Sequence, residues 1–106
     1  MNHLFLDTNI LLDFLGDRKP YSESAANLFA LAEKDQIRLY VSAISFNNLY
    51  YIIKQVSSHK KAINLIAELE SLVSILEVNQ KIIKEAINSG FSDFEDAIQY
   101  FCAKSE

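Results

Sequence analysis

The stretch Leu4-Phe5-Leu6-Asp7-Thr8-Asn9-Ile10-Leu11-Leu12 decides the fold. Three apolar residues run into an acid, a hydroxyl and an amide, and the apolar pattern then resumes. A short apolar run fits a strand covered on both faces, as in a parallel sheet. The polar triplet falls at the carboxyl end of that strand, with a helix starting at or just after it. In open α/β sheets this edge is where ligands bind, so Asp7 is placed to hold a divalent cation. The same residues also suit a simpler task, because Asp7 or Thr8 can cap the next helix by accepting its free N–H groups.

Outward from this stretch, strands and helices alternate. Residues 9–15 read as a short helix ended by Gly16, and Asp17-Arg18-Lys19-Pro20 reads as a turn. Residues 21–35 form a second helix with Ala25, Leu28, Phe29 and Ala32 as its apolar stripe. Residues 37–42 are the second strand. Residues 44–57 are a third helix, with Leu49, Ile52, Ile53 and Val56 on one side. A fourth helix opens at Ser58 and turns Ile63, Ile66, Ala67 and Leu69 inward. Residues 74–78 are a third strand, and residues 80–88 a helix stopped by Ser89-Gly90. A last helix covers about 93–103. Strands separated by helical crossovers are parallel neighbours, so the expected fold is an α/β sandwich around a parallel sheet of about three strands.

The chain has 106 residues, half of them hydrophobic, with two glycines and one proline. These figures predict one domain over 1–106 without long linkers. The formal charge is −4, from 10 basic and 14 acidic side chains. A chain that grips nucleic acid by charge alone shows a basic excess. Here an RNA partner requires a bound cation or positive surface from a second protein. The single cysteine, Cys102, excludes an internal disulfide framework and a cysteine-rich zinc site. Met1-Asn2-His3-Leu4 lacks a basic leader, and no stretch approaches a membrane span. The cytoplasm is the expected compartment.

A second acidic cluster is Ser92-Asp93-Phe94-Glu95-Asp96-Ala97-Ile98. On a helix, Asp93 and Asp96 share a face and Glu95 points elsewhere. Asp93 and Asp96 suit the positive end of the helix dipole, and they can reach Asp7 if this helix starts beside the first strand's end. Three converging carboxylates repel one another unless a cation sits among them. Mg²⁺ takes such oxygen ligands, polarises a phosphate and acidifies a water. Capping again competes: Ser92-x-x-Glu95 is a capping-box pattern, and Asp93 is an alternative cap.

Together, the apolar strand with Asp7-Thr8-Asn9 and the segment Asp93-Phe94-Glu95-Asp96-Ala97-Ile98-Gln99 resemble the first and second acidic motifs of PIN domains. Many members of that family are metal-dependent ribonucleases, including toxins of bacterial toxin–antitoxin pairs. The resemblance implies a PIN-like three-layer sandwich. It also implies that Asp7 and Asp96 bind Mg²⁺ or Mn²⁺, that Asp93 is an accessory acid, and that Thr8 and Asn9 orient Asp7. The segment Ser42-Ala43-Ile44-Ser45-Phe46-Asn47-Asn48-Leu49 resembles the one in which PIN nucleases carry a glutamate. Asn48 stands at that position, offering an amide contact without charge. The family's C-terminal strand or strands are absent from the pattern, so the domain reads as C-terminally short. An open sheet edge of this kind predicts self-association or a bound partner.

Two functions follow from the resemblance. One is a divalent-metal-dependent endoribonuclease hydrolysing RNA phosphodiester bonds, as the toxin partner of an antitoxin protein. The other is a weakened or inactive PIN-like module that binds RNA or protein. A third reading is an acidic α/β interaction domain unrelated to PIN, with Asp7 and Asp96 far apart. Of the remaining residues, Cys102 reads as a buried small hydrophobe. His3 and His59 read as surface or packing residues. Tyr50 and Tyr51 suit base stacking, a dimer contact or core packing.

Overall fold

The computed structural model describes residues 2–15 and 21–105, and all their side chains except those of 14, 15 and 21–25. The elements run β1 (Asn2–Leu6), α1 (Thr8–Leu15), α2 (Tyr21–Glu33), β2 (Ile37–Ser42), α3 (Ala43–Val56), α4 (His59–Leu72), β3 (Ser74–Leu76), α5 (Gln80–Ile87) and α6 (Phe94–Lys104). The three strands form one parallel sheet in the order β1-β2-β3, with Leu6 beside Val41 and Ser42 beside Leu76. The expected element order and parallel sheet are present. Among the described residues there are three strands, and β3 is shorter than the expected 74–78.

The period-two alternation of strand side chains separates two cores. Leu6, Leu39 and Val41 face one side, where Leu11, Phe29, Leu49, Ile53, Ala62 and Leu69 from α1 to α4 close over them. Phe5 faces the other side, against Ile82 and Ala86 of α5 and Ala97, Ile98 and Cys102 of α6. The result is three layers: four helices, the sheet, and two helices. Both strand-to-strand crossovers pack on the same face, as connections of one hand require in a sheet ordered β1-β2-β3. The last two helices are thereby left to cover the opposite face.

Local signals account for the helix boundaries. Ser42 caps α3, Ser58 caps α4 and Asn79 caps α5, each accepting a first-turn backbone N–H. Helix α2 stops at Glu33, two residues before the expected end, because Asp35 takes a left-handed conformation at φ 58°. There Asp35 N–H donates to Ala32 and Gln36 N–H to Leu31, both at 3.0 Å, the pairing of a Schellman cap. Gly90, at φ 79°, makes the turn between α5 and α6 that the sequence assigns to it. The stop at Gly16 and the turn over 17–20 lie outside the described residues, as does the side chain of Ala25.

Several inward assignments are corrected. Ile52, Val56, Ile63 and Ala67 are exposed. On α3 the buried residues are Ser45, Leu49 and Ile53, and on α4 Ala62 and Leu69. Each helix thus presents a narrower buried stripe than its apolar residues suggest, and α3 and α4 bury theirs largely against each other. Leu4 on β1 and Ile75 on β3 are also exposed, one on each edge strand. Among the described residues no helix is long and apolar enough to cross a membrane.

Candidate active site

The carboxyl end of β1, the middle of α3 and the start of α6 border one cleft of about 600 Å³. Asp7, Thr8 and Asn9 line it from the start of α1, and Asp93, Glu95, Asp96 and Gln99 from the start of α6. Helix α3 supplies Asn48, Tyr51, Ile52 and Gln55. Every residue singled out from the sequence as a site residue therefore faces one cavity. Asp7 and Asp96 both line it despite their distance along the chain.

Asp7 and Asp93 are both helix caps. Asp7 Oδ1 accepts the Ile10 N–H at 2.9 Å, and Asp93 Oδ1 accepts the Asp96 N–H at 2.9 Å. Of the two caps open for α6, the structure uses Asp93 rather than Ser92. Capping consumes one oxygen of each acid. The other oxygen of each, and both oxygens of Asp96, accept no hydrogen bond among the described residues. Capping and ligand binding are therefore compatible at both positions.

Beneath the acids runs a chain of hydrogen bonds. Thr8 Oγ1 lies 2.9 Å from Ser45 Oγ and donates to Glu95 Oε1 at 3.1 Å. Gln99 Nε2 donates to the same Glu95 oxygen at 3.2 Å. Thr8 has one hydroxyl proton, and the carboxylate requires it, so Ser45 is the donor to Thr8. Ser45 is fully buried, Thr8 and Gln99 nearly so, and Glu95 half-buried. The assignment of Glu95 to another face is thus corrected. In the first turn of α6 its side chain has no preceding turn to lie over and extends sideways to Thr8. Neither Ser45, Glu95 nor Gln99 was a site residue in the sequence reading. Their only signal was the pairing of Ser45 with Asn48, and of Glu95 with Gln99, at helical spacing.

Two buried polar atoms of cleft residues, Asn48 Nδ2 and Gln99 Oε1, have no hydrogen-bond partner among the described residues. Leaving such an atom unpaired costs about 1–3 kcal/mol. For Gln99 the orientation is fixed, since only its Nε2 can donate to Glu95. Both atoms belong to residues of the cleft, where water or a ligand can supply the missing partner.

The donor set fits a hard divalent cation. Four carboxylates share the lining with four amides and two hydroxyls, all oxygen-bearing, and no imidazole or thiol is among it. His3 bonds Tyr40 at 3.0 Å and His59 bonds Tyr50 at 2.7 Å, both away from the cleft. Cys102 is buried, its thiol directed to Ser42 Oγ and to the Glu77 carbonyl. The convergence of three carboxylates on one point is corrected, however. No three His, Cys, Asp or Glu side chains among the described residues form a ready-made metal cage. Asp7, Asp93 and Asp96 line the cleft, and capping engages one oxygen of Asp7 and one of Asp93. Mg²⁺ tolerates this arrangement, because it keeps several waters and commonly uses one or two carboxylates plus substrate phosphates.

A parallel sheet with an acid-lined cleft at its carboxyl edge matches the resemblance seen in the sequence. The chain belongs to the PIN domain family, whose model matches residues 3–106. Ribonuclease VapC1 of Aquifex aeolicus is 24% identical over 108 residues, spanning 97% of this chain and 74% of that protein. In fold, the chain resembles the crystal structure of Mycobacterium tuberculosis VapC20, described as a Sarcin-Ricin loop cleaving toxin. The TM-score is 0.74 at 15% identity, covering 96% of this chain and 82% of that one.

Proposed function

We propose that this chain is an endoribonuclease that hydrolyses RNA phosphodiester bonds with Mg²⁺ or Mn²⁺, and that it is the toxin of a toxin–antitoxin pair. The observation that carries the reading is the shared cleft of Asp7 and Asp96. Family membership and the names of the two relatives, a ribonuclease and an RNA-cleaving toxin, support it.

Asp7 and Asp96 would hold the cation, with Asp93 as the accessory acid. When bound, such an ion polarises a phosphoryl oxygen and lowers the pKa of a water. Thr8 and Asn9 orient Asp7. Asn48 adds an uncharged amide contact from α3, where its nitrogen suits a phosphate oxygen. Tyr51, 56% exposed at the cleft, offers a ring face to an unpaired base. Tyr50 meets that ring edge-on at 5.2 Å between centroids.

The remaining expectations belong to the same proposal. The chain is one PIN domain, works in the cytoplasm and is covered at an open sheet edge by a second copy or an antitoxin. Exposed Leu4 and Ile75 on the edge strands support that cover. The test is cleavage of single-stranded RNA by the parent and by Asp7→Asn, with and without Mn²⁺. The parent cuts only with the ion, and Asp7→Asn does not cut. Equal rates for the two proteins, or cleavage independent of metal, remove the reading.

A second reading, a PIN module that binds RNA or protein without cutting, is favoured by Asn48. The amide brings no charge to the α3 wall. Asn48→Glu separates the two: a gain of Mn²⁺ binding that the parent lacks identifies the parent as a binding module.

A further inference from the structure

Asp7 and Asp96 line the cleft from two separate elements, the start of α1 and the start of α6. Their sequence neighbours are joined directly. Thr8 Oγ1 donates to Glu95 Oε1 at 3.1 Å, a bond between residues 87 positions apart. Thr8 follows Asp7, and Glu95 precedes Asp96, so this bond ties the first turn of α1 to the first turn of α6. Ser45 Oγ extends the tie at 2.9 Å to α3, one turn before Asn48. A single hydroxyl thus connects the three elements that carry the polar walls. Gln99 Nε2, bonded at 3.2 Å to the same Glu95 oxygen, holds the carboxylate in that pose from the next turn of α6.

We propose that Thr8 and Glu95 form a positioning staple that keeps the cation-binding acids Asp7 and Asp96 in register at the cleft. The inference rests on the nuclease reading and adds two positioning residues, Glu95 and Ser45, to it. In this role Glu95 acts through hydrogen-bond acceptance and not through its charge. An amide oxygen in its place still accepts the Thr8 hydroxyl, though more weakly than a carboxylate, whereas a methyl group cannot. Partners bonded directly to a metal ligand change its affinity by about 10–100-fold when removed, and a tie that acts through the backbone of the neighbouring residue belongs at the low end of that range.

The experiment is Mn²⁺ binding to the full chain, read from the loss of the free-ion electron paramagnetic resonance signal. Thr8→Val and Glu95→Ala each weaken binding by about tenfold or more. Thr8→Ser and Glu95→Gln stay within about threefold of the parent, since each preserves the bond. Asn79→Ala is the control for a merely structural loss. It removes the cap of α5 away from the cleft, so it lowers the melting temperature and leaves Mn²⁺ affinity unchanged. Unchanged affinity in Thr8→Val and Glu95→Ala overturns the staple while the nuclease reading stands. A fall in Glu95→Gln as deep as in Glu95→Ala also overturns it, and makes Glu95 a charge contributor instead. A parent that binds no Mn²⁺ overturns both.

Discussion

Asp7 and Asp93 perform the same task at two helix starts, each accepting a backbone N–H three residues on at 2.9 Å. One oxygen of each side chain belongs to the fold, and both residues line the cleft. Folding and chemistry can therefore be separated at a single position.

Asparagine caps a helix about as well as aspartate, whereas alanine loses about 1 kcal/mol. Asp7→Asn is expected to unfold in urea within a few tenths of a kcal/mol of the parent, and Asp7→Ala about 1 kcal/mol lower. Both abolish Mn²⁺-dependent RNA cleavage. Two inactive variants with different stabilities separate the two tasks of Asp7. An Asp7→Asn protein as unstable as Asp7→Ala denies it the cap.

Tyr51 and Ile52 mark where the sequence misled and where it informed. At helical spacing Ile52 belongs with Leu49, Ile53 and Val56 as a core stripe. The buried line on α3 is instead Ser45, Leu49 and Ile53, and Ile52 turns to the cleft beside Tyr51. Periodicity shows that a helix has an apolar side, but not how wide a strip its neighbours cover. By contrast, β2 (Ile37–Ser42) is found at its expected bounds, because a short β-branched and aromatic run between polar ends has few alternatives. The acids at positions 7, 93 and 96 were legible because strand ends and helix starts fix where such residues project. Glu95 was not. The i, i+3 rule orders faces along a helix interior, and Glu95 sits in the first turn, where a side chain can swing outward to a neighbouring element.

The exposed Tyr51 ring makes a separable contribution if it stacks on a base. Such stacking is worth about 1–3 kcal/mol per base. Tyr51→Ala is expected to raise KM for single-stranded RNA roughly tenfold with kcat nearly unchanged, the pattern of an interaction made equally in ground and transition states. Tyr51→Phe keeps the ring and behaves as the parent. An unaltered KM in Tyr51→Ala, with a shift from dimer to monomer in sedimentation, assigns the ring to a contact between copies.

Asp35 offers a stabilising change away from the cleft. It occupies the left-handed position of the α2 cap, φ 58°, which costs an L side chain about 1–2 kcal/mol. Glycine avoids that cost but gives back about 0.5–1 kcal/mol through the freedom of the unfolded chain. The balance predicts that Asp35→Gly gains about 0.5–1 kcal/mol in urea unfolding. Asp35→Val, which cannot adopt this conformation easily, loses stability. Equal midpoints for the Gly and Val variants contradict the Schellman geometry.

Burial raises the pKa of the Cys102 thiol above its ordinary value, against a smaller lowering by the Ser42 hydroxyl. The folded chain therefore holds this proton more tightly than the unfolded one. Below the ordinary thiol pKa both states are protonated, and the stabilisation is fully present. Above it the unfolded thiol ionises first, so unfolding releases a proton and stability falls as pH rises toward the raised folded value. Cys102→Ala removes this alkaline slope at the cost of a cavity, so its urea midpoint is lower at pH 7 but declines less steeply between pH 8 and about pH 10 than the parent's. The same burial keeps the native thiol unreactive. A disulfide exchange reagent at pH 8 should label it at the rate of unfolding, rising with urea, since the thiolate is the nucleophile and neither solvent nor reagent reaches the sulfur. Rapid labelling in the absence of urea places Cys102 at the surface and removes both expectations.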